Sequence, residues 1–388
     1  TANVQKTGGA GGKTGTNHGN GSINKNKSVL YAQGCLKKTL PRVMLAPSLT
    51  CHRNTMNTRK RIAILYTGGT IGMMQTEHGL APCADLGSRA QTWLGGQMDT
   101  DWHLAAPLID SSALTLADWQ RWLAWLHQHL DKYDGVLILH GTDTLAYSAN
   151  LLALALAALN KPVVLTGAQW PLGAPGSDAP LNLQTALAAF DLPDLKHVAI
   201  AFNGTLFRAV GSSKVSTEHA AGFATPHFAP LGQWQPESGW QQLRLHELPP
   251  PLGHAAQATA FNPAVNIVCH TLTPGANSAM IAHSLQHFAA DGVVLASYGH
   301  GNAPADADLL AAIAAVCAQG VPVLNISQVA QGCAAAVYAQ GSALRAAGVI
   351  NGGKCNRETA VALLTLAAAN GWTQPQIEQM LRHWQLWV

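Results

Sequence analysis

Residues 135–169 read GVLILHGTDTLAYSANLLALALAALNKPVVLTGAQ, and this segment sets the topology of the chain. The apolar run over 135–139 is typical of a strand that is buried on both faces, and 163–169 repeats the pattern before a turn. Between these runs, 145–160 is apolar on nearly every side and favours a buried helix. A strand, a helix and a second strand form a βαβ unit, in which the strands run parallel. The sequence therefore predicts a parallel sheet covered by helices.

Strands and helices alternate along most of the remaining chain. Before the βαβ unit, 61–65 predicts a buried strand and 116–130 a helix with one apolar face. After it, 197–202 predicts a strand, followed by an irregular stretch as far as Pro230. Beyond a proline-rich segment, the pattern predicts strands at 265–269, 292–297 and 321–326, helices at 277–289 and 306–319, and two closing helices.

These elements predict an α/β protein with two domains. We expect a larger N-terminal domain at 56–247, built on a mostly parallel sheet with flanking helices. The polar segment 248–262 is the predicted linker, and 263–388 is the predicted smaller C-terminal α/β domain. A chain of 388 residues with 48% hydrophobic and 11% charged residues is long enough to bury two such cores.

The first part of the chain differs from the rest in composition and charge. Residues 1–55 are rich in Gly, Asn, Lys and Thr, so they are predicted to be a disordered or non-native extension. Residues 1–61 hold eleven of the 23 Lys and Arg and no acidic residue, and the remainder carries a balance of −8. An acidic body lacks the basic stripe that nucleic-acid binding requires, so we expect no nucleic-acid partner.

The cysteines and the absence of a targeting pattern indicate the compartment. The seven cysteines are scattered and are never spaced as Cys-x-x-Cys, which predicts reduced thiols rather than a disulfide framework. No apolar segment resembles the core of a signal peptide. The expectation is a cytoplasmic protein that does not associate with membranes.

Several common catalytic motifs do not occur in the sequence. The glycine-rich turn at 68–72 does not fit G-x-G-x-x-G, and there is no P-loop, which argues against nucleotide binding. The chain has 17 histidines but no H-E-x-x-H, so zinc hydrolysis is disfavoured. It also has no G-x-S-x-G, which disfavours a serine hydrolase of the α/β-hydrolase type.

Two short segments that follow buried strands carry hydroxyl groups. They are Tyr66-Thr67-Gly68-Gly69-Thr70-Ile71-Gly72 and His140-Gly141-Thr142-Asp143-Thr144. Because ligands bind at the carboxyl ends of parallel strands, we expect Thr70, Thr142 and Asp143 to meet in one crevice. A threonine nucleophile needs a base and an oxyanion site. The local alternatives stay open: Thr70 as a turn hydroxyl, and Thr142 with Asp143 as a helix N-cap.

Taken together, the motifs resemble the bacterial asparaginase and glutaminase family, and its cytoplasmic type I members most closely. The resemblance covers the chain from Arg59 to the C-terminus and includes seven motifs in the order that the family has them. Besides the two threonine segments, the motifs are Leu108-Ile109-Asp110-Ser111-Ser112, Thr166-Gly167-Ala168-Gln169, Ser213-Lys214, Ser297-Tyr298-Gly299 with Gly301-Asn302-Ala303-Pro304, and Tyr338-Ala339-x-Gly341.

The resemblance implies hydrolysis of L-asparagine to L-aspartate and ammonia, without a metal or an organic cofactor. It implies that Thr70 is the nucleophile and that Thr142, Asp143 and Lys214 form a second polar group that supports catalysis. It further implies a homodimer or homotetramer. The alternatives are a glutaminase-asparaginase with broader amide specificity, a subunit of a tRNA-dependent amidotransferase, and a catalytically silent amino-acid-binding protein.

The resemblance also implies which residues hold the substrate. The segment 110–112 would bind the α-carboxylate and α-ammonium groups, and Asp143 would hold the ammonium as a carboxylate that is ionised at neutral pH. A backbone carbonyl at position 168 would face the leaving amide. The implied substrate-binding residues are Asp110, Ser111, Ser112, Thr142, Asp143 and Ala168.

The chain departs from the family pattern at two positions. Many relatives carry a tyrosine that helps to deprotonate the nucleophile where this chain has Leu80, so Tyr338 is the candidate replacement for that base. Some type I relatives use an arginine at a second, regulatory asparagine site where this chain has Ala296. We therefore expect no allosteric control by asparagine.

Overall fold

The structure is a computed structural model of the chain. It describes residues 59–388 apart from 78, 95, 97, 159, 254–260 and 336–338. The predicted extension at 1–55 and the candidate base Tyr338 lie outside the described residues. The described residues belong to one compact unit.

The larger sheet has eight strands: β1 (Arg61–Gly68), β4 (Asp99–Ile109), β5 (Gly135–Leu139), β6 (Val163–Thr166), β7 (Val198–Phe202), β8 (Thr205–Arg208), β11 (Gly232–Gln235) and β12 (Gly239–Gln241). Their order in the sheet is β12-β11-β8-β7-β6-β5-β1-β4. The five strands β7, β6, β5, β1 and β4 pair in parallel, and β8, β11 and β12 extend that sheet with antiparallel pairing. The mostly parallel sheet expected for the N-terminal region is confirmed.

Four helices cover this sheet on two faces: α1 (Leu86–Leu94), α2 (Leu116–His129), α3 (Leu145–Ala155) and α4 (Ala179–Ala189). Along β1, Ala63 and Leu65 belong to the core that α2 and α3 complete, whereas Ile62 and Ile64 belong to the core of α1 and α4. Alternate residues of a strand point to opposite faces, and both faces are buried here. This explains why the strand reads as an unbroken apolar run.

Two short hairpins lie outside the larger sheet. β2 (Met73–Thr76) pairs with β3 (Gly79–Pro82), and β9 (Ser213–Lys214) pairs with β10 (Phe223–Ala224). The prediction of an irregular stretch from 203 to Pro230 was wrong, because β8, β9 and β10 lie within it. Strands of two to four residues are too short to show a hydrophobic period.

The smaller sheet has four parallel strands in the order β13-β14-β15-β16: β13 (Ile267–Thr271), β14 (Gly292–Ser297), β15 (Val323–Ser327) and β16 (Ile350–Asn351). Its helices are α5 (Asn277–His287), α6 (Ala307–Ala318), α7 (Ala339–Ala346), α8 (Arg357–Asn370) and α9 (Gln374–His383). The expected fold class, with a larger N-terminal and a smaller C-terminal α/β region, is confirmed. Helix α8 shares a core with α3, so the two sheets are joined through packed helices.

Two further features of the described residues complete the fold. The five cysteines among them are free. No helix in this part of the chain combines the length and the apolar character needed to cross a membrane.

Candidate active site

The candidate site lies where the parallel strands of the larger sheet end. Tyr66 of β1 pairs with Leu139 of β5, and Leu139 pairs with Thr166 of β6, so the three strands end at nearly the same level. Thr70 starts a one-turn 3₁₀ helix directly after β1, and Thr142 and Asp143 follow β5. The three predicted residues therefore lie on neighbouring strand ends, as expected for ligand sites in open α/β sheets.

Glycines let the two threonine segments approach each other closely. Gly69 has a φ of 85°, and a Cβ there would lie 2.3 Å from the Cα of Gly141. A Cβ at Gly141 would lie 2.5 Å from the Ser111 Oγ. Only glycine tolerates such backbone contact. The sequence places these glycines immediately before Thr70 and Thr142, so the close approach brings both hydroxyl-bearing residues to one edge.

Lys214 joins Thr142 and Asp143 in one hydrogen-bonded group. Its Nζ donates to the Thr142 Oγ1 at 2.8 Å and to the Asp143 Oδ1 at 2.7 Å. The lysine side chain is 15% exposed and the Asp143 side chain 58% exposed. A charge-assisted pair of this length keeps the ammonium beside the hydroxyl. The structure thus brings together three of the five residues expected to be catalytic.

The hydroxyl of Thr70 has no hydrogen-bond partner among the described residues. Thr70 is half-buried, and the turn that carries it is held from several sides. The carbonyl of Gly72 accepts from the backbone N–H of Cys83 at 3.2 Å, and the Ile71 carbonyl accepts from the N–H of Leu172 at 3.0 Å. Thr70 therefore sits on a fixed turn with its hydroxyl unengaged by the described part of the chain.

The segment 110–112 borders the loop at 140–144 after β5, which we call the second threonine loop. The Thr144 hydroxyl donates to the Ser111 carbonyl at 2.8 Å, which ties this segment to the loop after β5. The Asp110 Oδ1 accepts from both the N–H and the hydroxyl of Ser112, each at 2.9 Å. Ser111 is buried, whereas Asp110 and Ser112 are exposed. One Asp110 oxygen is therefore occupied in capping the short helical turn at 111–113.

Gln169 lies beside Thr142, although the sequence marked only its neighbour Ala168 as a site residue. The Thr142 hydroxyl faces the Gln169 Oε1 at 3.4 Å, and the Gln169 Nε2 donates to the Ser216 carbonyl at 3.0 Å. The Ala168 side chain is buried. The Asp178 carboxylate accepts from the Gln169 N–H at 3.0 Å and so secures this turn. Gln169 was quoted within a motif, but nothing local indicated that its side chain reaches Thr142.

His140 holds the second threonine loop in place through hydrogen bonds of its ring. Trp119 Nε1 donates to the Ser148 Oγ at 2.8 Å, and the His140 Nε2 lies 2.8 Å from that same oxygen. The Ser148 hydroxyl therefore donates its own proton to Nε2. The imidazole proton is then on Nδ1, which donates to the Gly141 carbonyl at 2.7 Å. Complete burial lowers the pKa of His140 to about 4. The ring is therefore neutral and hydrogen-bonds the backbone of Gly141, next to Thr142.

The two positions that depart from the family pattern have distinct surroundings. Leu80 lies on β3 opposite Gln75, and its side chain is half-exposed. Ala296 lies in β14, where its side chain is buried. Its carbonyl accepts from the Gln328 Nε2 at 2.9 Å.

Within the described ranges, no group of three or more His, Cys, Asp or Glu is arranged to hold a metal ion.

Two family models together match most of the chain. "Asparaginase, N-terminal" matches residues 61–245, and "Glutaminase/Asparaginase C-terminal domain" matches 266–381. The chain is 35% identical to L-asparaginase 1 of Escherichia coli K12 over 300 residues, which cover 76% of this chain and 87% of that protein.

Solved structures agree with the family models. L-asparaginase I from Vibrio cholerae O1 matches with a TM-score of 0.72 and 33% identity, covering 83% of this chain and 97% of its own. The thermostable L-asparaginase from Thermococcus kodakarensis matches with a TM-score of 0.73 and 27% identity, covering 84% and 99% of the two chains. The chain therefore belongs to the asparaginase/glutaminase family of amidohydrolases.

Proposed function

We propose that the protein is an L-asparaginase that hydrolyses L-asparagine to L-aspartate and ammonia. The observation that carries this proposal is the hydrogen-bonded group of Thr142, Asp143 and Lys214 next to the glycine-flanked Thr70. Family membership supports the amide as the bond that is broken. L-Asparagine is the substrate that the names of the E. coli, V. cholerae and T. kodakarensis relatives state.

In the proposed mechanism, the Thr70 Oγ1 attacks the side-chain amide carbon of the substrate. A C–O bond forms, the C–N bond breaks, and the leaving nitrogen takes up a proton and departs as ammonia. Water then attacks the aspartyl ester, and cleavage of the C–Oγ1 bond releases L-aspartate and restores the Thr70 hydroxyl. Backbone N–H groups near Thr70 and Thr142 stabilise the developing oxyanion.

Lys214 and Asp143 have different electrostatic roles in this mechanism. The Lys214 ammonium donates to the hydroxyl oxygen of Thr142, where it favours negative charge that develops on that oxygen. The Asp143 Oδ1 is bound to Lys214, which leaves Oδ2 for the α-ammonium of the substrate. Asp110, Ser111 and Ser112 bind the α-carboxylate and the α-ammonium of the substrate, and the Ala168 carbonyl faces the leaving amide.

A single assay tests two of the alternatives to this function, which are a broader range of amide substrates and the absence of catalysis. A pocket discriminates one methylene group by only about 10- to 200-fold, so glutamine hydrolysis is the broader alternative. A catalytically silent amino-acid-binding protein is the alternative from another class. Rates of ammonia release from asparagine and from glutamine separate all three.

The deciding experiment measures ammonia from L-asparagine with the wild type and with Thr70→Ala. We expect turnover by the wild type and its loss in Thr70→Ala. Thr185→Ala is a matched control, because the Thr185 hydroxyl bonds only the Leu181 carbonyl of its own helix among the described residues. Wild-type protein that releases no ammonia would refute the proposal and favour the binding protein.

We further propose that Tyr338 replaces the missing loop tyrosine as the base for Thr70. The support is the leucine at position 80 and the unengaged Thr70 hydroxyl. Tyr338→Phe is expected to lower kcat by more than tenfold. Tyr133→Phe is the control. The Tyr133 hydroxyl lies 3.2 Å from the His103 Nε2, and Tyr133 precedes the amino end of β5, whereas Thr70 and Thr142 follow carboxyl ends. Turnover within a few-fold of the wild type in Tyr338→Phe would exclude this role.

The expected assembly, location and regulation complete the proposal. We expect a cytoplasmic homodimer or homotetramer, which light scattering on the eluting protein would measure directly. A structural relative from Campylobacter jejuni is described as a probable cytoplasmic L-asparaginase. Because Ala296 stands in place of the regulatory arginine, initial rates should rise hyperbolically with asparagine, and a sigmoidal curve from a homogeneous oligomer would contradict this.

A further inference from the structure

The strand that carries Lys214 is held from its other side by the smaller domain. Ser213 and Lys214 are adjacent in β9, so their side chains point to opposite faces of the strand. The Ser213 hydroxyl donates to the Glu358 Oε2 at 3.0 Å and accepts from the Asn356 Nδ2 at 2.8 Å. The Asn356 Nδ2 also donates to the Ser212 carbonyl at 2.7 Å. We call Ser213, Asn356 and Glu358 the β9 clamp.

The clamp is anchored to the helix that follows the second threonine loop. Asn356 is the N-cap of α8, and its Oδ1 accepts from the Thr359 N–H at 3.1 Å. The Thr359 hydroxyl donates to the side-chain oxygen of Asn150 in α3. The Gly211 N–H donates to the Asn150 Oδ1 at 3.0 Å. The clamp therefore ties β9 to α8 and to α3, and α3 begins directly after Thr144.

The Glu358 carboxylate is half-buried beside β9. Burial raises its pKa, and the Ser213 hydroxyl is its side-chain hydrogen-bond donor. Removing part of a carboxylate from water costs free energy, which its hydrogen bonds have to offset. The mechanism above does not use this carboxylate, which lies in the first turn of α8 and accepts from Ser213 of β9.

β9 is part of a short two-stranded ribbon. It is two residues long, and β10 is its partner strand in a two-stranded sheet separate from the larger one. An isolated two-stranded ribbon is marginally stable by itself. The position of the Lys214 Nζ relative to Thr142 and Asp143 therefore depends on contacts outside that ribbon.

We propose that Ser213, Asn356 and Glu358 are positioning residues, through which the smaller domain holds Lys214 against Thr142. This inference rests on the proposed function, because Lys214 matters for turnover only if the site is catalytic. Misplacement of a catalytic group by about 1 Å can cost about 100-fold in rate. Loss of the clamp should therefore lower kcat more than it changes KM.

The test compares Ser213→Ala, Glu358→Ala and Glu358→Gln with the wild type. We expect kcat to fall about 10- to 100-fold in the two alanine variants, with KM changed less than about threefold. Glu358→Gln should stay within about threefold of the wild type, because its amide oxygen still accepts from Ser213. Thr365→Val is the control, since the Thr365 hydroxyl lies in the same helix and bonds the Val361 carbonyl.

Amide hydrogen exchange supplies a readout that does not depend on turnover. In Ser213→Ala, exchange over 213–216 should speed up, whereas Thr365→Val should leave it unchanged. Unchanged exchange in Ser213→Ala, or an equal loss of kcat in Thr365→Val, would refute the clamp. A wild type without ammonia release would refute the proposed function instead, and the two failures are therefore distinguishable.

Discussion

Lys214 is the residue on which the electrostatics of the candidate site depend. Its ammonium is largely shielded from water and donates to a hydroxyl and to a carboxylate at once. A cation held in this way stabilises negative charge more effectively than a solvated one, because water screens it less. Its two partners come from a loop 71 and 72 residues away along the chain.

Replacing this charge should affect turnover directly. Lys214→Met keeps most of the apolar stem and removes the donor, and we expect kcat to fall about 10²- to 10³-fold. Ammonia release under saturating asparagine measures the effect. Lys196→Met is the matched control, because Lys196 is exposed on the loop before β7. Near wild-type turnover in Lys214→Met would contradict the role given to the lysine.

His140 makes stability depend on pH. Its pKa is lowered from 6.5 to about 4 by burial, so the unfolded chain binds a proton in a pH range where the folded chain does not. This contribution is complete above pH 6.5 and is lost as the pH falls towards 4. Denaturant unfolding of wild type and His140→Gln should show their difference in unfolding free energy shrinking by roughly 2 kcal/mol between pH 7 and 4.5. Parallel pH profiles would show that His140 does not titrate in this way.

Among the structural elements, the turn after β1 does most to shape the site. Its backbone adopts a positive φ at Gly69 and touches the loop after β5 at Gly141. Two strand ends can converge in this way only where neither chain carries a side chain at the contact. The position of Thr70 therefore follows from the packing of two loops rather than from the turn alone.

Alanine at this contact should disrupt both stability and turnover. Gly69→Ala combines a positive φ with a clash against Gly141, so we expect a loss of several kcal/mol and of more than 90% of the activity. Gly173→Ala is the control: its φ is 94°, and nothing lies within 4 Å of the added Cβ. It should cost only about 1 to 2 kcal/mol. Equal effects in thermal unfolding would mean that backbone strain alone explains the result.

At the scale of the whole molecule, a buried arginine joins the larger sheet to the C-terminal end of the chain. Arg208 of β8 donates from Nη2 to the Trp384 carbonyl at 2.9 Å and from Nη1 to the Gln385 Oε1 at 3.2 Å. Its guanidinium lies 3.7 Å from the centre of the Phe228 ring. Burial lowers the pKa of Arg208 to about 10, which is still high enough to keep the charge at neutral pH.

Removing this connection should weaken the whole fold. Arg208→Ala leaves a cavity and an unpaired buried carbonyl, and we expect a loss of roughly 3 kcal/mol in denaturant unfolding. Arg382→Ala is the control, because Arg382 is exposed and lies 4.1 Å from the Trp387 ring. It should cost less than about 1 kcal/mol. A loss of similar size in both variants would show that the buried guanidinium has no special structural role.

The sequence alone determined the class of fold and the candidates for the reacting groups. Strands such as β1 and β5 are apolar on both faces because helices cover both sides of the sheet, so their patterns could be read locally. Thr70, Thr142 and Asp143 could be placed because parallel strands end at a common edge. Lys214 was found from its match to a family motif, and the structure puts it within hydrogen-bond distance of its partners.

Only the tertiary structure decided which side chains complete the site. Gln169 reaches Thr142 from a different strand end, and Glu358 reaches β9 across 145 residues of sequence. Neither contact leaves a periodic or compositional trace, because each depends on how separate elements pack together. The physical reason is that hydrophobic periodicity records which face of an element is buried, whereas a hydrogen bond between distant elements is set by the three-dimensional packing that follows.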